Sequence, residues 1–385
     1  MSPGPITPSE SAPTIDELSV AVAHWHIDSW GGAEYLVTKL AEAVGESTVY
    51  TVGEPEPDSD NPYGDIEFYD VTADLPEWTT GVRKRLGRPA EYSLWEDVDW
   101  RTYGSPNVLI TSGSTPRAVI TPETTLHCNY CHSPPRWFYD LYHDRKNSLV
   151  GQLARPVVRY LRTRDSAIDN RVDQYLANSP VIARRLWKYY KRDAEVVYPP
   201  VELGRYEDRG DEGFYFHLGR LDVEKGIEAI VEAFEGLDQR IVFAGGEGDA
   251  GVVDRIRAAD NMEYAGFVSE DEKYELLGRC RAVVFNGRNE DFGIVPIEAN
   301  ASDKPCLARN DGFPGLFVGA GENGLLHDGS AASIRAAVDR LEREGVSADP
   351  TSFIEPFSMA TFEDRLRATV AETVESFQGR FTYER

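Results

Sequence analysis

The chain has 385 residues, 41% of them apolar and 11% aromatic, enough for packed interiors and about the length of two domains rather than one. Its formal charge of −25 argues against general nucleic-acid binding, and no apolar run is long enough to span a bilayer. Only eight of the forty basic residues are Lys; such an acid-rich, Lys-poor balance fits a halophilic source that keeps its proteins soluble with surface carboxylates.

Residues 1–18 are rich in Pro, Ser, Thr and acid and show no secretion signal, so they read as a disordered tail on a cytoplasmic protein. Strands are then expected near Ser19–Ala23, Thr48–Thr51, Ile66–Val71, Val108–Thr111, Thr125–Cys131 and Gln174–Asn178. A second series follows near Phe214–Leu218, Arg240–Ala244, Met262–Ala265, Ala282–Phe285 and Pro305–Ala308. These strands alternate with helical patterns, the signature of parallel α/β sheets. One sheet of about eleven strands would be at the limit for an open sheet, so the chain reads as two Rossmann-like, doubly wound domains, 19–200 and 201–357. They divide where Tyr198-Pro199-Pro200 ends a strand, and a final helix in 358–385 is expected to return to the N-terminal domain.

The four cysteines read as reduced and unpaired, with Cys280 and Cys306 in strand-like runs. The run His127-Cys128-Asn129-Tyr130-Cys131-His132 suggests zinc, but alternation in a strand sends Cys128 and Cys131 to opposite faces, and no metal site is expected. Between Arg145 and Arg192 stand twelve Lys and Arg side chains against three Asp, a local net charge of +9. This segment fits solvated helix faces, or a patch for an anionic membrane or a lipid-phosphate acceptor.

Ligands of doubly wound sheets sit beyond the carboxyl ends of the strands, and four loops there carry chemistry. After the first strand, Gly31-Gly32 opens a helix from about Ala33 to Val44; such a pair admits an anion to backbone N–H groups but equally fits a tight turn. Gly219-Arg220 with Lys225-Gly226 sets a guanidinium fork and an ammonium where a strand opens into a helix, as a leaving diphosphate requires. In Glu290-Asp291-Phe292-Gly293-Ile294-Val295-Pro296-Ile297-Glu298, seven residues separate two glutamates. If the helix begins near Gly293, Glu290 lies before it and Glu298 on its body, so the two carboxylates can hold two different sugars. Gly266-Phe267-Val268 offers an aromatic and backbone groups to a base.

Together these residues resemble the retaining glycosyltransferases of family 4, over about Val20 to Phe377. The Glu290-to-Glu298 spacing with Phe292-Gly293 inside is the most specific part of the match. The resemblance implies the GT-B fold and no bound metal. It implies that Arg220 and Lys225 bind diphosphate, that Glu298 binds ribose, and that Glu290 with the Phe292, Gly293 and Ile294 backbone binds the donor sugar. Phe267 and Val268 would lie by the base, and His132 in Tyr130-Cys131-His132-Ser133-Pro134-Pro135-Arg136 beside the sugar. Tyr130 to Arg136 with Glu290 to Glu298 looks especially like the bacterial O-antigen mannosyltransferase branch and its archaeal relatives, implying GDP-mannose as leading donor, UDP-hexoses next, and a glycan or lipid-linked acceptor; with the acid-rich composition it points to a haloarchaeal source. The alternative readings are a sugar-nucleotide epimerase or phosphorylase of the same architecture, and an inactive nucleotide-sugar-binding paralogue.

Overall fold

A computed structural model of the protein describes residues 15–27, 31–53, 64–76, 88–145, 149–319 and 321–379. Two compact units divide the chain, Met1–Pro199 with Phe362–Arg385, and Pro200–Thr361.

The first unit is built on β1 (Val20–His24), β2 (Thr48–Thr51), β3 (Glu67–Asp70), β4 (Val108–Ser112), β5 (Leu126–Cys131), β6 (Gln174–Ala177) and β7 (Ala194–Val196). All run parallel, in the order β3-β2-β1-β4-β5-β6-β7. Every residue of β1, β4 and β5 is buried, as strands covered on both faces must be. The edge strand β3 instead alternates between exposed and half-buried residues. Helix Arg88–Asp97 covers one face, setting Tyr92, Leu94 and Trp95 against Ala21 and Leu109. Across the unit a buried Arg117–Asp165 ion pair fastens helix Leu149–Ile168. Its charge is shared by the hydroxyls of Tyr139 and Tyr190, which donate to Asp165 at 2.8 and 2.6 Å; a buried pair needs such extra hydrogen bonds to offset desolvation.

The last helix, Met359–Gly379, buries Phe362, Leu366, Val370 and Val374, a four-residue repeat that makes one apolar stripe. Its Arg367 donates to the Ala43 carbonyl and to Asp16, both at 2.8 Å, which ties it to the first unit. That contact corrects the expected disordered tail at its inner end. Ile15–Glu17 form a 3-10 turn with Ile15 buried, because Ile15 has an apolar interior to enter and Asp16 an ion-pair partner. Residues 1–14 lie outside the described residues.

The second unit holds β8 (Phe214–Leu218), β9 (Arg240–Ala244), β10 (Met262–Gly266), β11 (Ala282–Phe285), β12 (Cys306–Arg309) and β13 (Gly324–His327), again parallel, in the order β10-β9-β8-β11-β12-β13. Helices Ile227–Phe234, Ala250–Ala258 and Ala331–Glu344 bury their apolar faces on this sheet. The strand β13 was not expected from the sequence, and β7, expected only as a strand ending at Tyr198, stops two residues before it. Cys280 lies at the end of helix Glu270–Arg279 rather than in a strand. All four cysteines are buried free thiols.

Candidate functional site

A parallel sheet opens a crevice where its strand order reverses, and in the second unit that point lies between β8 and β11. The loop after β8 begins with Gly219 and runs through Asp222, whose carboxylate accepts from the Lys225 backbone N–H at 3.0 Å and so fixes the turn. Gly226 ends it in the left-handed conformation at φ +64°, so close to β11 that a Cβ would stand 2.6 Å from Asn286 Nδ2 and 2.8 Å from its carbonyl oxygen. Asn286 donates in turn to the Gly226 carbonyl at 2.9 Å. Behind them Gly245, at φ +134°, lies where a Cβ would come within 2.2 Å of the Gly219 carbonyl oxygen; no other residue fits there.

These locks bring two of the expected residues into contact. Lys225 Nζ donates to Glu290 Oε1 at 2.5 Å, joining loops 65 residues apart. Arg220 is 69% exposed and makes only a 3.5 Å contact with Asp222, so its fork faces solvent beside a groove that Val223, Glu247 and Asp249 also line. The helix after Glu290 runs from Val295 to Ala301, two residues later than expected. Gly293 takes φ +70°, which extends the loop before helical geometry begins. Phe292 is buried and stacks on Phe313 at 5.3 Å, so among the loop's residues its side chain serves the core. Phe267, after β10, is 89% exposed, and Val268 beside it is half-buried.

Glu298 is 3% exposed and has partners that spacing along the chain did not reveal. Tyr206 donates its hydroxyl to Glu298 Oε1 at 2.7 Å, and Lys273 Nζ reaches the same oxygen at 3.1 Å and Glu270 at 2.6 Å. Burial works against the Lys273 charge, but Glu298 and Glu270 outweigh it and hold its pKa above the ordinary value. The Tyr206 hydroxyl is pushed far up by burial and by the Glu298 carboxylate, so it remains a donor.

His132, Gly31 and Gly32 belong to the first unit. His132 Nε2 lies 2.8 Å from Ser112 Oγ, and the ring stacks with Trp25 at 5.6 Å. Burial, with neighbouring His24 adding to it, lowers its pKa to about 3, so the imidazole is neutral. Gly31 caps helix Gly32–Ala43. A Cβ on Gly32 would meet nothing within 4 Å, so protein packing does not require this glycine; Asp28, Ser29 and Trp30 lie outside the described residues.

The strand orders and paired sheets define the GT-B architecture. The lipopolysaccharide outer core galactosyltransferase WaaB superposes with a TM-score of 0.65 at 15% identity, covering 92% of this chain and 99% of that one. The Anabaena protein HepE in complex with UDP-glucose does so with a TM-score of 0.65 at 13% identity, over 92% and 100%. Residues 204–355 match the family Glycosyl transferases group 1, the stretch that holds Arg220, Lys225, Glu290 and Glu298. Among relatives by sequence are an uncharacterized glycosyltransferase of Methanocaldococcus jannaschii, 25% identical over 62% of this chain and 61% of that one, and an alpha-1,3/1,6-mannosyltransferase of Homo sapiens, 23% identical over 56% and 59%. An O-antigen chain mannosyltransferase C of Escherichia coli is 26% identical over 38% and 44%. The alignments thus span about three fifths of the first two relatives.

Proposed function

We propose that the chain is a glycosyltransferase that moves a hexose from a nucleotide sugar, GDP-mannose first, to a glycan or lipid-linked acceptor with retention of configuration and without a metal. The observation that carries this reading is the convergence of Lys225 and Glu290, from two loops, at the reversal point of the second sheet. Mannosyltransferase names among the relatives support mannose.

Breaking the anomeric bond to a diphosphate builds negative charge on the leaving oxygen and oxocarbenium character on the ring. Arg220 and Lys225 oppose that charge as it develops, which lowers the barrier rather than merely tightening binding. For Lys225 to turn to phosphate its bond to Glu290 opens, freeing that carboxylate to accept from sugar hydroxyls. The acceptor oxygen attacks the face that the diphosphate leaves and passes its proton to a departing phosphate oxygen. The neutral His132 orients the sugar and does not act as base. Glu298, held by Tyr206 and Lys273, accepts from the ribose hydroxyls.

Glu290→Ala is therefore expected to lower mainly turnover and Glu298→Ala mainly donor affinity. Steady-state kinetics with varied donor check this, and equal losses in both parameters for both variants would refute the division.

The basic segment enters the proposal as a peripheral contact on the inner face of an anionic membrane, but the structure narrows its residues. Arg162 donates to the Phe138 carbonyl, Arg164 pairs with Glu96, Arg171 reaches the Ala118 carbonyl and Glu96, and Arg192 reaches the Val172 carbonyl. Arg159, Arg184, Lys188 and Lys191 are exposed, as are Val157, Tyr160 and Trp187. Reversing Arg159, Arg184 and Lys188 to Glu is expected to remove binding to vesicles containing phosphatidylserine, since each basic residue near such a surface contributes about 1 kcal/mol. Co-sedimentation across a salt series tests it; unchanged binding at every salt concentration would leave these side chains as solvated surface.

A further inference from the structure

The turn after β12, from Asn310 to Phe313, closes over the loop that carries Glu290. It is fastened to its own sheet by the Asn310 N–H, which donates to the His327 carbonyl at 2.8 Å. From there it holds the neighbouring loop in three ways. Asp311 Oδ2 accepts from the Asn289 backbone N–H at 3.0 Å. The Phe313 N–H donates to the Glu290 carbonyl at 3.0 Å. Between them Gly312 lies against the Glu290 backbone, where a Cβ would stand 2.3 Å from its carbonyl oxygen and 2.6 Å from its nitrogen.

The hold acts on an unusual conformation. Asn289 takes φ +51°, the left-handed region that residues other than glycine seldom adopt, Asn being among the more tolerant. With residue 289 so bent, the Glu290 side chain folds back over Gly287, where a Cβ would stand 2.6 Å from Glu290 Oε1, and the same oxygen meets Lys225 Nζ. The backbone angle at 289 thus decides where the carboxylate of 290 stands. A carboxylate accepting from a backbone N–H makes a charge-assisted bond. The Arg309 guanidinium is 3.8 Å from the same Asp311 oxygen, beyond hydrogen-bond reach, so it does not compete for that bond.

We propose that Asp311 is a positioning residue for sugar transfer: by holding the Asn289 N–H it keeps residue 289 left-handed and so sets the Glu290 carboxylate in place, without touching the sugar itself. What Glu290 touches rests on the transferase reading; that Asp311 holds the Glu290 loop does not. Hydrogen exchange on the full chain, read by mass spectrometry, tests the hold directly. Residues 286–293 should exchange about tenfold faster or more in Asp311→Ala than in the parent, and near the parent rate in Asp311→Asn, whose amide oxygen still accepts the bond. Kinetics test the consequence. Asp311→Ala should lower kcat about tenfold or more and leave donor KM within about twofold, since a misplacement of about 1 Å costs a reaction about 100-fold, and Asp311→Asn should restore most of the rate. In a Glu290→Ala background the same Asp311→Ala change should alter kcat by less than about twofold, because its effect passes through that carboxylate. A merely destabilising substitution would cost the same in both backgrounds. Unchanged exchange at 286–293 in Asp311→Ala, a full parental kcat in that variant, a loss carried by donor KM instead, or an equal loss in both backgrounds would each overturn the proposal. A parent chain that transfers sugar from no GDP- or UDP-hexose sinks the transferase reading, and exchange alone then decides the hold.

Discussion

Lys225→Ala is expected to slow sugar transfer at saturating donor by about 100-fold or more, and Arg220→Ala by a similar factor. A factor of 100 corresponds to about 2.7 kcal/mol in the barrier. The 3.5 Å approach of the exposed Arg220 to Asp222 contributes about 0 to 1 kcal/mol, and the half-buried Lys225–Glu290 pair belongs to the resting enzyme, so neither contact acts on the transition state. A loss of that size would have to arise as the diphosphate departs. The measurement is kcat for each variant, with urea unfolding to show that the second unit is intact. Near-normal turnover in either folded variant would remove that residue from the reaction.

The second large effect is on stability in acid. His127 is fully buried, its Nδ1 2.8 Å from the Arg171 carbonyl oxygen and its Nε2 2.8 Å from Thr111 Oγ1. Because a carbonyl only accepts, Nδ1 carries the proton and Nε2 accepts from the threonine. Burial lowers its pKa to about 4, and it does the same to His217, whose Nδ1 donates to the Val284 carbonyl at 3.0 Å. An unfolded chain protonates these rings near pH 6.5 and the native one does not, so their contribution is complete above pH 6.5 and is lost as the pH falls toward 4. Each shift corresponds to roughly 3 kcal/mol, against a usual total stability of about 5–15 kcal/mol. Urea midpoints should therefore fall steeply through that window, and less steeply in a His127→Gln, His217→Gln double variant. A midpoint that stays level from pH 6.5 to 4 would show that these rings are not held neutral.

Most of the eleven expected strands stand out because central parallel strands are buried on both faces and spell apolar runs, whereas the edge strands β3 and β10 alternate in burial. Ala194–Val196 was legible only as a strand ending before the prolines, since three residues at a sheet edge are too few for any period to register, and one strand escaped altogether. Gly324–His327 opens on a glycine whose Cβ would meet the Cys306 carbonyl at 2.1 Å, and a glycine there reads as a turn. The charged residues of the second unit were legible because each follows a strand. Tyr206 and Lys273 were not: they meet Glu298 from 92 and 25 residues away, with nothing in local spacing to announce it. In the basic segment, composition gave the charge but not its direction, and four of the arginines turn to carbonyls and carboxylates of their own unit.

Gly226 and Gly245 hold their loops against neighbouring backbone with no room for a single added carbon. In an inherited sequence this makes two residues without functional groups as hard to replace as the cations they position. Phe267, 89% exposed on its own turn, is under no such packing restraint and is free to vary, while the outline of the loop after β8 passes unchanged from ancestor to descendant.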